Sequence, residues 1–206
     1  MYDETFIKKS NLTFGSEDNE YISMSLGIDR MSHALTAMGE PCRKIPAIHI
    51  AGTNGKGSIS AFISSILSLV DIKTGVTTSP HLNDWIERIA INKINISKKE
   101  FKLISKSIQP IVDKYSLTTF ESVIAIALKY FDLKKVELLI LEVGLGGRLD
   151  ATTAHKFRPI IAFGAIGLDH CEYLGDSLEK IAIEKASVIT PRSTVITANQ
   201  NNIVKR

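Results

Sequence analysis

The chain has 206 residues, of which 44% are hydrophobic and 23% charged, with a formal net charge of +3. This balance is ordinary for a globular protein, and the charge is too small to argue for a nucleic-acid partner. The sequence contains no run of 18 apolar residues, no signal-peptide core and no metal-type cysteine spacing around Cys42 and Cys171. We expect one domain, or one and part of another, in a cytoplasmic protein with reduced thiols and no membrane contact.

The first predicted helix follows a polar lead-in, residues 1–20. Apolar residues recur at helical spacing over residues 21–38, and Gly39-Glu40-Pro41 should end that helix. A short apolar run over residues 47–51 then predicts the first strand, which contains His49. We expect this histidine to pack inside the protein rather than to contact a ligand.

A glycine-rich turn, GTNGKGS at residues 52–58, joins this strand to an apolar segment at 59–70. The pattern predicts a strand, a tight turn and a helix. Glycines allow backbone N–H groups to approach an anion, and the helix N-terminus adds positive potential. Lys56 would reach the outer phosphates, and the Ser58 hydroxyl would lie near a bound magnesium ion. These groups together indicate a phosphate site, although the first two glycines of the turn are closer together than in the general P-loop pattern.

Strands and helices continue to alternate beyond this turn. The predicted elements are a strand over 73–78, a hairpin over 88–96, a helix from a capping box at 97–100 towards 114, a helix from a capping box at 118–121 to about 131, buried strands over 136–143 and 159–166, a helix over 177–186, and one or two strands within 188–197. Pro110 should end or kink the first of these two capped helices, because proline cannot donate the helical hydrogen bond.

This alternation predicts an α/β fold with a mostly parallel sheet flanked by helices and a small hairpin insertion, like a P-loop ATPase domain. Ligands of such sheets bind beyond the carboxyl ends of the strands. Polar or glycine-rich loops follow predicted strands at residues 52–58, 79–82, 142–150 and 169–170. We therefore expect these four loops to form one composite site.

The sequence resembles a known family at several motifs. These are GTNGKGS at 52–58, SPHL at 79–82, TTFE at 118–121, EVGLGGRLDAT at 142–152, and GLDH at 167–170 followed by IAIEKA at 181–186. Together they resemble folylpolyglutamate synthase/dihydrofolate synthase, a branch of the Mur ligase superfamily, from about residue 25 to the end of the chain.

The resemblance implies an ATP-dependent carboxylate–amine ligase. ATP would phosphorylate a carboxylate, on dihydropteroate or on the glutamate tail of a folate, and the amine of L-glutamate would attack the acyl phosphate. Phosphorylation is needed because a carboxylate has no good leaving group, and magnesium neutralises the charge that accumulates. The partners implied are these small molecules, with ATP and one or two Mg²⁺ ions, no organic prosthetic group and a monomeric enzyme.

The family pattern also implies roles for individual residues. The ATP phosphates would contact Gly52, Thr53, Asn54, Gly55, Lys56, Gly57 and Ser58. Magnesium would be held by Ser79, Glu142 and His170, of which the histidine suits magnesium least because this ion prefers oxygen. Lys56, His170 and Lys185 would be catalytic, and Lys185 matches a position where the family carries a carbamylated lysine. The pterin and benzoate end of the substrate would lie against Ser25, Leu26, Gly27, Pro80, His81, Thr118, Thr119, Phe120, Glu121, Leu149, Asp150 and Ala151.

The chain departs from the family pattern in two residues and in length. Thr153 stands where the family usually has asparagine, and Ser187 stands where it has glycine. The family is also about twice as long. The resemblance therefore implies an incomplete N-terminal ATP-binding domain over residues 1–206, without the domain that receives glutamate and inactive alone.

Several alternatives remain open at the level of sequence. A Mur-type peptidoglycan ligase has a similar order of parts, but it carries GKTT or GKST where this chain has Gly57-Ser58, and it lacks SPHL and GLGGRLDAT. A nucleotide-binding module without ligase activity is a second alternative, favoured by the length. Arg148 could bind phosphate or cap its loop. Glu121 favours a bifunctional enzyme that accepts dihydropteroate.

Overall fold

The structure is a computed structural model that describes residues 27–205. Its helices and strands, in chain order, are α1 (Ile28–Ala37), β1 (Ala47–Ala51), α2 (Lys56–Ser68), β2 (Thr74–Thr77), β3 (Ile89–Ile91), β4 (Ile94–Asn95), α3 (Lys98–Tyr115), α4 (Thr119–Leu133), β5 (Leu138–Glu142), β6 (Ile160–Phe163), α5 (Cys171–Leu174), α6 (Leu178–Ala186) and β7 (Thr194–Thr197). Short 3-10 helices span Trp85–Arg88 and Ala151–Ala154. The part of the first predicted helix before residue 27 lies outside the described residues.

The described strands form a seven-stranded sheet in the order β4-β3-β2-β5-β1-β6-β7. Strands β2, β5, β1, β6 and β7 are mutually parallel, whereas β3 and β4 form the predicted antiparallel hairpin at one edge. The mostly parallel α/β fold with a hairpin insertion is therefore confirmed. Because β1 lies between β5 and β6, the loop after β1 is flanked by the loops after both neighbours.

The central strands are apolar throughout because helices cover both faces of the sheet. Leu139 and Leu141 of β5 pack into the larger core, with α1, α3 and α4. Ile140, between them, points to the opposite face and packs with Ile50 of β1 and the apolar side of α2. This arrangement explains why the sequence reads as a continuous apolar run rather than an alternating one.

Both predicted capping boxes begin helices. The Thr118 hydroxyl accepts a hydrogen bond from the Glu121 N–H, and the Glu121 carboxylate accepts one from the Thr118 N–H at 2.8 Å. Pro110 does not end α3, because the helix continues to Tyr115, close to the end predicted near residue 114. Pro110 is exposed, and buried side chains on both sides of it, such as Ile108 and Val112, anchor the helix to the core.

The last predicted segment contains one strand, β7, which begins after Pro191 and forms the edge of the sheet opposite β4. All four residues of β7 are exposed. Within residues 27–205, no helix combines the length and hydrophobicity that a membrane span requires. Cys42 is buried and Cys171 is exposed, and neither forms a disulfide in the described structure.

Candidate functional site

The phosphate loop, residues 52–58, connects β1 to α2 as predicted. Gly52 and Gly55 have φ values of 134° and 84°, in the left-handed region that favours glycine. A Cβ atom on Gly52 would also lie 3.0 Å from the backbone N of Gly164, so a side chain has no room there. The N–H groups of Lys56, Gly57 and Ser58 belong to the first turn of α2 and have no acceptor within the helix. They are available to an anion.

The start of the phosphate loop is fixed to the segment that follows β6. The carbonyl of Ala165 accepts hydrogen bonds from the N–H groups of Thr53, at 2.8 Å, and Asn54, at 3.1 Å. The Thr53 hydroxyl donates to the Gly167 carbonyl at 3.0 Å and accepts from the Gly167 N–H at 3.1 Å. The backbone N–H groups of Thr53 and Asn54 are thus used within the protein, and the phosphate contacts predicted for these two residues stay a prediction.

Two lysine ammonium groups converge on the carbonyl oxygen of Gly52. Lys56 Nζ donates to this oxygen at 3.1 Å and to the Thr53 carbonyl at 3.2 Å. Lys185 Nζ, which comes from α6, donates to the same Gly52 oxygen at 3.1 Å. Lys185 is only 2% exposed, and burial followed by the positive charge of Lys56 lowers its pKa to about 8. A concentration of positive charge at a helix N-terminus is the electrostatic requirement of a phosphate site.

Glu142 places a buried carboxyl group beside this loop. It ends β5 with 3% exposure, and a Cβ on Gly57 would lie 3.8 Å from its Oε2 atom. The carboxylate accepts from the Ser60 hydroxyl at 3.4 Å and from the Ser79 N–H. Within residues 27–205, no lysine or arginine forms an ion pair with it. Burial raises its pKa to about 7, and the charge of Lys56 opposes that shift.

The surroundings of Glu142 fit a divalent cation, because a buried carboxylate without an ion pair lacks charge compensation. Ser79 already touches Glu142 through its N–H group. His170 immediately precedes α5 with a φ of 47°, and its Nε2 atom lies 3.6 Å from the Asp169 carboxylate. In the described part of the chain, no three His, Cys, Asp or Glu side chains cluster as a metal site. A metal ion here would therefore also need oxygen ligands from serine, water or phosphate.

Asp150 acts inside the loop that follows β5. Its buried Oδ2 atom accepts from the N–H groups of Gly144, at 2.9 Å, and Leu145, at 3.0 Å. Its Oδ1 atom accepts from the Thr152 N–H at 2.9 Å. Burial raises the pKa of Asp150, and these hydrogen bonds oppose the shift. The Asp150 carboxylate thus fixes the conformation of this loop through hydrogen bonds. Its predicted contact with the pterin stays a prediction.

His49 extends this network to β1. Its Nε2 atom lies 2.8 Å from the Thr152 hydroxyl, which itself donates to Asp150 Oδ1. The hydroxyl hydrogen is used by Asp150, so the His49 Nε2–H donates to Thr152. Burial, reinforced by the charge of Arg158, lowers the pKa of His49 well below its ordinary value. His49 is fully buried, as predicted, and it ties the strand before the phosphate loop to the loop after Glu142.

The Arg148 side chain holds the same loop to α6. Its guanidinium makes an ion pair with Glu184 at 2.9 Å, and its N–H donates to the Glu184 carbonyl at 3.2 Å. A Cβ on Gly147 would lie 2.9 Å from that carbonyl, so the loop and the helix are in close contact. Of the two roles that the sequence left open, the structure supports capping of the loop. Glu184 and Lys185 are adjacent on α6 but bind different partners.

The predicted folate-contacting residues fall into two groups. The first group lies at the start of α4, where the Glu121 carboxylate makes an ion pair with Arg30 of α1 at 2.8 Å. The Phe120 ring contacts Gly144 so closely that a Cβ atom on Gly144 would lie 2.7 Å from it. Phe120 therefore brings the TTFE segment against the loop after β5. Leu149 is half-buried and Ala151 is buried. Gly27 immediately precedes α1, whereas Ser25 and Leu26 lie outside the described residues.

Pro80 and His81 form the second group, in the loop after β2. Pro80 is exposed, and the Ser79–Pro80 peptide bond is cis. His81 Nδ1 accepts from Arg88 Nε at 2.8 Å, and its ring lies 4.6 Å from that of Trp85. Because Nδ1 accepts, the neutral ring carries its proton on Nε2. The Arg88 guanidinium also lies 4.4 Å from the Trp85 ring centre, so three side chains brace this loop.

Sequence reasoning missed several residues that shape the site. Ser60 contacts Glu142 from inside α2, Arg88 orients His81, and Gln200 binds the segment after β6. Of these, Ser60 carries a detectable signal, because it lies one helical turn after Lys56 on the same face. Gln200 lies 36 residues from its partner Gly164, and no local pattern links the two.

Comparison with known proteins identifies the family. A model of the Mur ligase middle domain matches residues 50–206. The chain belongs to this family. The dihydrofolate synthase/folylpolyglutamate synthase of Bacillus subtilis (strain 168) is 39% identical over 180 residues, which cover 84% of this chain and 41% of the relative.

Solved structures agree with this assignment. Mycobacterium tuberculosis folylpolyglutamate synthase complexed with ADP and AMPPCP has a TM-score of 0.83 and 34% identity, covering 87% of this chain and 43% of that one. A bifunctional folylpolyglutamate synthase/dihydrofolate synthase with Mn, AMPPNP and L-glutamate bound has a TM-score of 0.81 and 32% identity. The match covers 90% of this chain and 46% of that one. The predicted resemblance and fold are confirmed, and the chain spans less than half the length of these relatives.

The Thr152 hydroxyl should be essential to the link between His49 and Asp150. Thr152→Val leaves both buried partners one hydrogen bond short, so we expect the free energy of unfolding to fall by about 1–3 kcal/mol. Thr152→Ser is the matched control, because it keeps the hydroxyl. Urea denaturation of the three proteins measures the difference. Equal losses of unfolding free energy in Thr152→Val and Thr152→Ser would show that the hydroxyl does not link His49 to Asp150.

Glu142 should make stability depend on pH in the absence of divalent metal. Its pKa is about 7 in the folded chain against an ordinary 4.5, so between these values the folded state keeps a proton that the unfolded state has lost. Stability should therefore fall as pH rises from about 4.5 to about 7 and then level off. Glu142→Gln should raise the free energy of unfolding at pH 8 by on the order of 2 kcal/mol, with little gain at pH 4.

The measurement is thermal or urea denaturation with a chelator at pH 4, 6 and 8. Glu179→Gln, which neutralises an exposed carboxylate on α6, is the control and should show no such gain. A Glu142→Gln variant whose stability follows wild type at every pH would show that the carboxyl group is not destabilised by burial.

Proposed function

We propose that this chain binds magnesium ATP at the carboxyl edge of its sheet, as part of a ligase that adds L-glutamate to dihydropteroate or to the glutamate tail of a folate. The observation that carries the proposal is the pair of ammonium groups, from Lys56 and Lys185, on the Gly52 carbonyl beside the buried Glu142 carboxyl. Such an arrangement attracts an anion and a divalent cation to the same place. The nucleotide and metal bound by the related structures support it.

The residues of the phosphate loop divide the work of binding ATP. The N–H groups of Gly55 to Ser58 would donate to phosphate oxygens at the start of α2. Lys56 would leave the loop carbonyls that it now contacts and pair with the outer phosphates. Thr53 and Asn54 support this geometry through Ala165 rather than through backbone contacts of their own with phosphate.

Glu142, Ser79 and His170 would hold the magnesium ion. When bound, the ion would neutralise phosphate charge that develops during phosphoryl transfer. Glu142 supplies the negative charge, and it must lose its proton to do so. Ser79 would add a hydroxyl oxygen and His170 a ring nitrogen, with remaining positions taken by phosphate and water oxygens.

Lys185 suits the carbamylation that the family resemblance implies. A lysine amine reacts with carbon dioxide only in its neutral form, and a pKa of about 8 makes a substantial neutral fraction available near pH 8. Carbamylation would replace one of two adjacent cations with an anion. The modified side chain could then bind a second magnesium ion, as the resemblance implies.

The folate substrate would lie across the loops after β2 and β5 and the start of α4. The contact between Phe120 and Gly144 joins the last two of these, which supports a continuous surface. Ser25, Leu26, Gly27, Pro80, His81, Thr118, Thr119, Leu149 and Ala151 remain predicted contacts. Glu121 would act through its ion pair with Arg30.

The ligase reaction is proposed for the whole protein, because the chain spans 41% of the B. subtilis relative. In that reaction the substrate carboxylate attacks the γ-phosphorus of ATP, ADP leaves, and the glutamate amine displaces phosphate from the acyl phosphate. The relatives favour this chemistry over a peptidoglycan ligase. Cytoplasmic location and a monomeric state are part of the same proposal.

Nucleotide binding is tested by calorimetric titration of the 206-residue chain with magnesium ATP. We expect saturable binding that Lys56→Ala weakens at least about tenfold, since a charge-assisted contact with phosphate is lost. Lys44→Ala, at an exposed lysine before β1, is the control and should bind like wild type. Equal affinities of Lys56→Ala and Lys44→Ala for magnesium ATP would show that Lys56 does not contact the nucleotide.

The contribution of the rest of the protein is tested by coupled measurement of ADP release. With magnesium ATP and a dihydropteroate or folate substrate, we expect the 206-residue chain to release no ADP in a glutamate-dependent manner. Glutamate-dependent release would refute this expectation and assign the glutamate site to residues 1–206. A full-length relative assayed in parallel is the positive control.

A further inference from the structure

The side chain of Gln200 makes three hydrogen bonds just beyond the end of β7. Its Nε2 group donates to the Gly164 carbonyl at 2.8 Å and to the Thr197 hydroxyl at 3.0 Å, and its Oε1 atom accepts from the Ile166 N–H at 3.0 Å. Gln200 is only 9% exposed. One carboxamide therefore satisfies both a carbonyl and an N–H group of the segment that follows β6.

These contacts continue the hydrogen bonding of the sheet after the strands have ended. Phe163 of β6 lies opposite Ala51 of β1 on one side and Thr197 of β7 on the other. Beyond these residues the same lateral order persists, with the phosphate loop on one side of residues 164–167 and Gln200 on the other. The side chain of Gln200 takes the place that a neighbouring backbone occupies along the strands.

Gly164, the first residue of this segment, has no free space on the side of the phosphate loop. A Cβ on Gly164 would lie 2.3 Å from the Asn54 carbonyl oxygen. The Gly164 N–H donates to the Ala51 carbonyl at 2.9 Å, and the Ala165 carbonyl accepts from Thr53 and Asn54. A shift of this segment towards or away from Gln200 must therefore disturb the phosphate loop.

We infer that Gln200 is a positioning residue for nucleotide binding. Its amide holds residues 164–167, and these hold Thr53 and Asn54, so that the N–H groups from Gly55 onwards face the phosphates. The nucleotide part of this inference rests on the proposed function, whereas the control of loop geometry does not. Gln200 itself would not contact the nucleotide.

Two substitutions separate hydrogen bonding from packing. Gln200→Met keeps the length of the side chain and removes both hydrogen-bonding groups. Gln200→Glu keeps the oxygen that accepts from Ile166 but cannot donate to Gly164. Ile108→Val, a small core change in α3, is the control for a general loss of stability.

Amide hydrogen exchange of the 206-residue chain, followed by NMR, measures how firmly the phosphate loop is held in the absence of any ligand. In Gln200→Met we expect exchange at Ile166, Thr53 and Asn54 to accelerate by about tenfold, with a smaller effect in Gln200→Glu. Amides of β5 such as Ile140 should not change, and Ile108→Val should leave Thr53 and Asn54 unaffected. Acceleration confined to Ile166, or equal acceleration at every amide, would overturn the inference.

Titration of the same proteins with magnesium ATP measures the effect of each substitution on nucleotide affinity. We expect the Kd to rise by about tenfold in Gln200→Met, to rise less in Gln200→Glu, and to stay at the wild-type value in Ile108→Val. Wild-type affinity in Gln200→Met would overturn the link to nucleotide binding. Absence of binding by wild type would instead contradict the proposed function, and hydrogen exchange would still decide whether Gln200 controls the loop.

Discussion

The interaction on which the site depends is the convergence of Lys56 and Lys185 on the single carbonyl oxygen of Gly52. Two ammonium groups so close together repel each other, and burial of Lys185 adds the cost of desolvating a cation. The lowered pKa of Lys185 expresses both effects, and burial separately raises the pKa of the Glu142 carboxyl. An anion at the helix N-terminus and a cation at the carboxyl would relieve both at once, which is what magnesium ATP provides.

The topology of the sheet creates this charge distribution from distant parts of the sequence. Because β5, β1 and β6 are adjacent and parallel, their carboxyl ends place Glu142, the phosphate loop and the segment 164–170 side by side. A buried polar link from His49 through Thr152 then fixes the loops on one side, and backbone hydrogen bonds to Ala165 fix them on the other. The loops of the site are therefore held by hydrogen bonds between backbone groups and buried side chains.

Local patterns in the sequence predicted the parts of the structure that local physics determines. The phosphate loop, the capping box at Thr118 and the buried strand β5 follow from glycine geometry, helix-end hydrogen bonds and continuous hydrophobicity. Of the two effects predicted for Pro110, an end of α3 is wrong, because packing of the residues on both sides of this proline outweighs one lost hydrogen bond. The role of Gln200 could not be predicted, since it depends on a contact between segments that are 36 residues apart.

Binding of magnesium ATP at the carboxyl edge is tested most directly by an NMR titration of the ¹⁵N-labelled chain with a magnesium complex of a non-hydrolysable ATP analogue. We expect chemical-shift changes to concentrate at Gly55 to Ser58 and at the loops after β2, β5 and β6, which meet at the carboxyl edge. Amides of the β3–β4 hairpin turn and the middle of α3 should remain unchanged. Saturable changes centred on those distant elements, with none in the phosphate loop, would show that the nucleotide does not bind at this edge of the sheet.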